Sequence, residues 1–132
     1  MPEVNWIAVL LSAVSSMVLG GVWYSPMLFA KPWQQAAGLS DEQAASGNMA
    51  VIFGGAFLLS LVAAAVFAMF LGREMGLGPS IAAGASAGLC WVAASFGINY
   101  LFERRPLRLW LINGGYHILQ FTLFGLILGL MN

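Results

Sequence analysis

Charge is what this chain has least of. Asp, Glu, Lys and Arg together make up 8% of its 132 residues, about a third of the roughly 25% usual in a soluble domain. A folded chain this short leaves a large fraction of its surface exposed, so a 61% hydrophobic composition has nowhere to hide in water. That excludes a soluble enzyme, a nucleic-acid binder and a disordered segment. Net charge is missing too: five basic residues balance five acidic ones, leaving no field to gather polyanions. Cysteine is nearly absent. Cys90 stands alone, which rules out an intrachain disulfide. With one histidine and no carboxylate cluster, the chain offers no metal site, and no cofactor is expected. Period-two alternation is also lacking, since Leu58–Phe70 is apolar almost throughout, and this argues against a membrane barrel.

What is there is long apolar runs. A helix needs about 20 apolar residues to cross hydrocarbon. Four stretches qualify, approximately 5–24, 49–71, 79–102 and 107–131, and none has an acidic or basic residue in its central part. The fold class predicted is all-α: an integral membrane bundle of four transmembrane helices in a single membrane domain, with the lipid bilayer as its main partner. The N-terminus carries Glu3 and no basic residue ahead of the first run, unlike a secretory signal, so the first span is expected to be retained.

Orientation follows from basic residues near the span ends. Lys31, Arg104, Arg105 and Arg108 fall on the side of the loops 25–48 and 103–106, whereas Arg73 alone falls on the side of the termini. Both termini are therefore expected outside the cytoplasm. Trp6 at the outer end, and Trp23, Tyr24, Trp33, Tyr100 and Trp110 at the inner level, suit interfacial anchoring. Lys31, Arg104, Arg105 and Arg108 read as inner-surface contacts for anionic headgroups, or else as a site for an anionic ligand or partner. In the loop 25–48, Pro26 and Pro32 bar a continuous helix through the first part. Ser40-Asp41-Glu42-Gln43 has the pattern of a capping box, placing a short helix near 40–46.

Small residues recur every four positions in three spans: Ala8, Ser12, Ser16 and Gly20; Ala56, Ser60, Ala64 and Ala68; Gly84 and Gly88. Such stripes let helices approach closely, within a bundle or between copies. The last span carries the most informative pattern. Asn113, Tyr116, His117 and Gln120 are spaced i, i+3, i+4 and i+7, which puts them on one helical face. A polar stripe is costly against lipid and should turn toward protein or water. The third span offers a facing surface in Trp91, Ser95 and Asn99, continuous with Gly84 and Gly88, and Tyr24 closes the inner end. These eight residues are the candidate cavity or binding set. Either they bond across helices and fix register, or they line a cavity in which His117 binds a solute or relays a proton, its ordinary pKa of about 6.5 permitting both charge states. A Ser–His nucleophile lacks an orienting carboxylate at that depth, so no enzyme activity is expected.

Gly21-Val22-Trp23-Tyr24-Ser25-Pro26-Met27-Leu28-Phe29 with Trp33, and later Asn99-Tyr100-Leu101-Phe102-Glu103, Arg105-Pro106 and Ile112-Asn113-Gly114-Gly115-Tyr116-His117, resemble a family of small bacterial membrane proteins, domain of unknown function 1761. The resemblance covers nearly the whole chain. It implies a compact multi-span protein of a bacterial inner membrane and brings no activity, cofactor or catalytic residue. The leading functional expectation is a homo-oligomeric transporter or channel for a small solute or proton, with its cavity around His117. The alternative is a non-catalytic accessory or scaffold subunit packed against a membrane protein partner.

Overall fold

The computed structural model describes residues 3–132 of the chain. In chain order it runs α1 (Trp6–Trp23), α2 (Ala30–Ala37), α3 (Asp41–Ala45), α4 (Met49–Leu71), α5 (Leu77–Ala87), a wide π turn (Gly88–Ala93), α6 (Ala94–Glu103) and α7 (Leu107–Met131). The α5 helix, the π turn and α6 form one continuous third span, Leu77–Glu103, so four helices are long and apolar enough to cross a membrane. The described residues contain no strand. A helix satisfies its own backbone, which is why apolar runs of this length settle as helices where water is absent.

Side chains finish the helix ends. The Asn5 carboxamide oxygen accepts from the Ala8 amide at 3.1 Å, and its nitrogen donates to the Met131 carbonyl at 3.0 Å. One residue thus caps α1 and ties it to the end of α7. Asn48 caps α4 through the Val51 amide at 3.3 Å. At α3 the Ser40 hydroxyl accepts from the Gln43 amide at 3.1 Å, and the Gln43 side chain accepts from the Ser40 amide at 2.8 Å. The capping box is therefore complete.

The first half of the 25–48 loop departs from the sequence reading. No continuous helix runs through it, but a short helix that the reading did not place, α2, forms around Pro32. Pro32 is the third residue of α2, in the first turn, where backbone amides have no intrahelical acceptor and the ring removes nothing. Pro79 sits in the first turn of α5 for the same reason, so the third span begins at Leu77, two residues ahead of its expected start. The α2 helix stops at Gly38, whose φ of 75° suits a residue without Cβ. The Arg105 guanidinium donates to the Ala37 carbonyl at 3.1 Å. A cation thus satisfies the C-terminal end of α2 and holds it over the hairpin between α6 and α7.

The centre of the bundle is α7. It lies along the third span on one flank and along α1 on another, whereas α4 packs on α1 and only brushes α7. Ala8, Val9, Ala64, Ala68, Leu71, Phe124 and Leu128 form the apolar core in the half nearer the termini. Ala8, Ser12 and Ser16 are buried on α1, as are Ser60, Ala64 and Ala68 on α4. Ala56, read as part of the second stripe, is exposed. Contact between the third span and α7 is backbone to backbone. A Cβ on Gly84 would strike the Phe121 carbonyl, one on Gly125 the Ser80 carbonyl, and one on Gly88 would lie 2.8 Å from the His117 carbonyl oxygen.

The π turn resets the third span. Its Ala94 amide reaches back five residues to the Leu89 carbonyl, which inserts one residue relative to a regular helix. Before the turn, Ser80, Gly84, Ala87 and Gly88 are buried toward α7. After it the face resumes at Ala93, five positions on from Gly88, and continues through Phe96, Gly97 and Tyr100. The Trp110 indole donates to the Ala93 carbonyl at 2.8 Å and lies against Gly97. The expected facing surface of Trp91, Ser95 and Asn99 is thereby corrected. All three are exposed, Trp91 at 72% and bordering the cleft toward α4; past the turn, one extra residue rotates Ser95 and Asn99 by about 100° away from α7 at 3.6 residues per turn.

Candidate functional site

The half of the bundle nearer the 25–48 loop holds two joined hydrogen-bond chains. Gln120, buried on α7, donates from its carboxamide nitrogen to the Ser16 hydroxyl oxygen of α1 at 2.5 Å. Its oxygen lies 2.6 Å from Nδ1 of His117. The Tyr116 hydroxyl donates to the Ser16 carbonyl at 2.9 Å and lies 3.3 Å from the Ser16 hydroxyl. Donor and acceptor roles follow by elimination. The Gln120 nitrogen is the donor to Ser16, so its oxygen accepts, and Nδ1 of His117 must carry the proton. The Tyr116 proton goes to the Ser16 carbonyl, so the Ser16 hydroxyl donates to the Tyr116 oxygen. The second chain runs from the Tyr24 hydroxyl to the Asn113 oxygen at 2.6 Å, and from the Asn113 nitrogen to the Tyr100 hydroxyl at 2.8 Å.

Aromatic rings weld the two chains together. Tyr24 lies against Tyr116 at 5.6 Å between centroids and edge-on to Trp33 of α2 at 5.7 Å. Phe96 stacks on the His117 ring at 5.0 Å and 14°, and also touches Tyr100. Tyr116 meets the same imidazole edge-on at 4.9 Å. Trp23 donates its indole N–H to the Ile112 carbonyl at 2.9 Å, pinning the end of α1 to α7. The imidazole is thus held between two rings, with one nitrogen committed to Gln120. Nε2 keeps its lone pair and has no hydrogen-bond partner among the described residues. One turn along α1 from Ser16, the Ser12 hydroxyl is fully buried and also lacks a partner.

Of the eight candidate cavity residues, the structure brings five together: Tyr24, Asn113, Tyr116, His117 and Gln120. Trp91, Ser95 and Asn99 stay outside the cluster, displaced by the π turn. Sequence reasoning assigned Ser16 to a packing stripe and Tyr100 to an interfacial anchor, and it did not single out Phe96. The signal for Ser16 lay in its hydroxyl, at nearly the same depth from the terminal end of the bundle as Gln120. The basic candidates Lys31, Arg104, Arg105 and Arg108 are exposed at the loop end. Arg105 divides its guanidinium between Ala37 and Glu103, the latter at 3.4 Å. Among the described residues no three His, Cys, Asp or Glu side chains converge as they would around a metal ion. An apolar cleft of about 600 Å³ lies apart from the cluster, between α4 and the third span, lined by Phe67, Phe70, Cys90, Trp91 and Phe121 among others.

A family model described as Protein of unknown function (DUF1761) matches residues 7–129. The chain belongs to that family. The DUF1761 match takes in all four spans, both hydrogen-bond chains and the α2 cap. No curated protein and no solved structure matches the chain. The DUF1761 description names no activity.

Proposed function

We propose that this protein is a small transport protein of the cell membrane, working as a homo-oligomer and moving a small solute or protons past His117. The reading is carried by the uncommitted Nε2. The network selects the tautomer with Nδ1–H and leaves a basic lone pair half-buried near the middle of α7. Carriers concentrate polar groups at that depth, and an ionisable group there is a functional candidate by default. The orphaned hydroxyl of Ser12 continues the polar line from Ser16 toward the termini, while Asn113, Tyr100 and Tyr24 continue it toward the loops.

The test is flux in proteoliposomes under imposed proton and small-ion gradients. His117→Ala is expected to lower the flux at least tenfold while the protein keeps its wild-type tryptophan fluorescence. Unchanged flux in the variant, or none in the parent protein, refutes the reading. The accessory-subunit reading draws on a separate observation: Ser16, Tyr116 and Gln120 bond directly to one another, as a lock between α1 and α7 would. Under that reading His117→Ala changes stability alone, and a stoichiometric partner survives purification in mild detergent.

The orientation proposed puts both termini outside the cytoplasm and Lys31, Arg104, Arg105 and Arg108 against anionic headgroups of the inner leaflet. In a Cys90→Ser background, a cysteine at Asn132 is expected to react with an impermeant maleimide on intact cells. One at Ser46 is expected to react only after permeabilisation. The opposite pattern reverses the topology.

A further inference from the structure

The π turn leaves the third span with two polar-bearing faces, and α7 consumes only one. On the other flank Trp91, Ser95 and Asn99 recur every four residues, all exposed. None of their side-chain donors or acceptors has a partner among the described residues. At 1.5 Å per residue, Ser95 lies about 12 Å and Trp91 about 18 Å from Glu103 at the end of the span. Against a hydrocarbon layer about 30 Å thick, both groups stand deep within a membrane-spanning helix, where polar groups drive helix–helix association. Among the described residues none covers Ser95 or Asn99, and Trp91 only borders the cleft facing α4. On its other flank the span is held by α7, and α4 is separated from it by the apolar cleft that reaches Ser86, Cys90 and Trp91.

The geometry points to a second copy of this chain as the occupant, with the face of Trp91, Ser95 and Asn99 forming a two-fold seam. This deepens the oligomeric part of the proposed function and rests on that part, but needs no transport activity. Two copies inserted in the same orientation run their third spans parallel, so each residue meets its own counterpart at equal depth. A hydroxyl and a carboxamide each both donate and accept, so Ser95 pairs with Ser95 and Asn99 with Asn99, while the Trp91 indole, a donor only, contributes ring packing against its counterpart. No charge lies on the face until its end. There Glu103 continues the spacing with Arg104 beside it, which lets the acid of one copy meet the base of the other. An unrelated partner would need its own matching set of groups, whereas the Ser95 and Asn99 positions are already complementary to themselves.

The experiment uses the full chain in liposomes, in a Cys90→Ser background, with single cysteines at Ser95 or at Leu59. Leu59 lies on the exposed flank of α4 at 70%. Both are exposed sites, so neither change disturbs the bundle. Oxidation is expected to cross-link more than half of the Ser95→Cys protein into a dimer and almost none of the Leu59→Cys protein. Asn99→Leu is expected to weaken dimerisation at least tenfold. Copies per particle are counted separately by single-molecule photobleaching. Two copies without a Ser95 cross-link overturn the seam and leave the oligomer standing. One copy overturns both. A Ser95 cross-link formed only to a different protein in native membranes overturns the assignment to a second copy.

Discussion

Gly125→Ala is expected to destabilise the bundle by about 2–3 kcal/mol, toward the upper end for overpacking a filled contact. The added methyl has no side chain to push aside. It meets the Ser80 carbonyl and lies 3.0 Å from the Ile81 Cα, so the third span and α7 must separate along their whole length of contact. Gly84→Ala acts on the same crossing, against the Phe121 carbonyl. The double variant should therefore fall short of the sum of the two, because once the helices part for one methyl the second finds space. Gly55→Ala is the control. A Cβ there meets nothing within 4 Å, and the exchange of glycine for alanine inside a helix favours folding by up to about 1 kcal/mol. Reversible unfolding in mixed micelles, followed by tryptophan fluorescence, measures all three. Equal stabilities for Gly125→Ala and Gly55→Ala would show that the two spans do not touch backbone to backbone.

Deleting one residue from the third span should have opposite consequences on either side of Phe96. Removal of Trp91 takes out the extra residue of the π turn. The turn closes to a regular helix, Gly84 and Gly88 keep their place on α7, and Phe96 keeps its stack on His117. The stability change is expected to stay within about 1 kcal/mol, since the lost side chain is exposed and exposed positions contribute little. Removal of Ile98, also exposed, has no widened turn to absorb it. Tyr100 rotates by about 100° away from Asn113, and the Asn113 carboxamide loses its acceptor in a part-buried site. A loss of at least about 2 kcal/mol follows from leaving such a group unpaired. Matching losses for the two deletions would mean that the π turn does not set the register.

How much of this was legible in the sequence differs by element. The four spans were, because an apolar run of that length has one stable form without water. So was the shared face of Asn113, Tyr116, His117 and Gln120, which lies within a regular helix where spacing and direction correspond. The opposing face was not. Helical periodicity projects residues at a constant angle, and a single wide turn between Gly88 and Ala93 shifts everything beyond it by one position. No residue type announces such a turn. The α2 helix was hidden by Pro32 for a related reason: proline breaks a helix interior but not a first turn, and composition does not say which it occupies. Ser16 was visible as a small residue and overlooked as a hydroxyl.

The one-sided seating of α4 has a mechanical consequence. Its most apolar window is 11% buried, against 28% for the corresponding windows of α1 and α7. The other three spans make a laminate with α7 as the middle ply, and α4 is an outrigger fastened through α1. Pivoting that outrigger about its α1 fastening gives up little against α7 beyond the edge-on Phe67–Phe121 contact at 5.7 Å, so the hollow flanked by those two rings can widen while the imidazole and its tethers stay where they are.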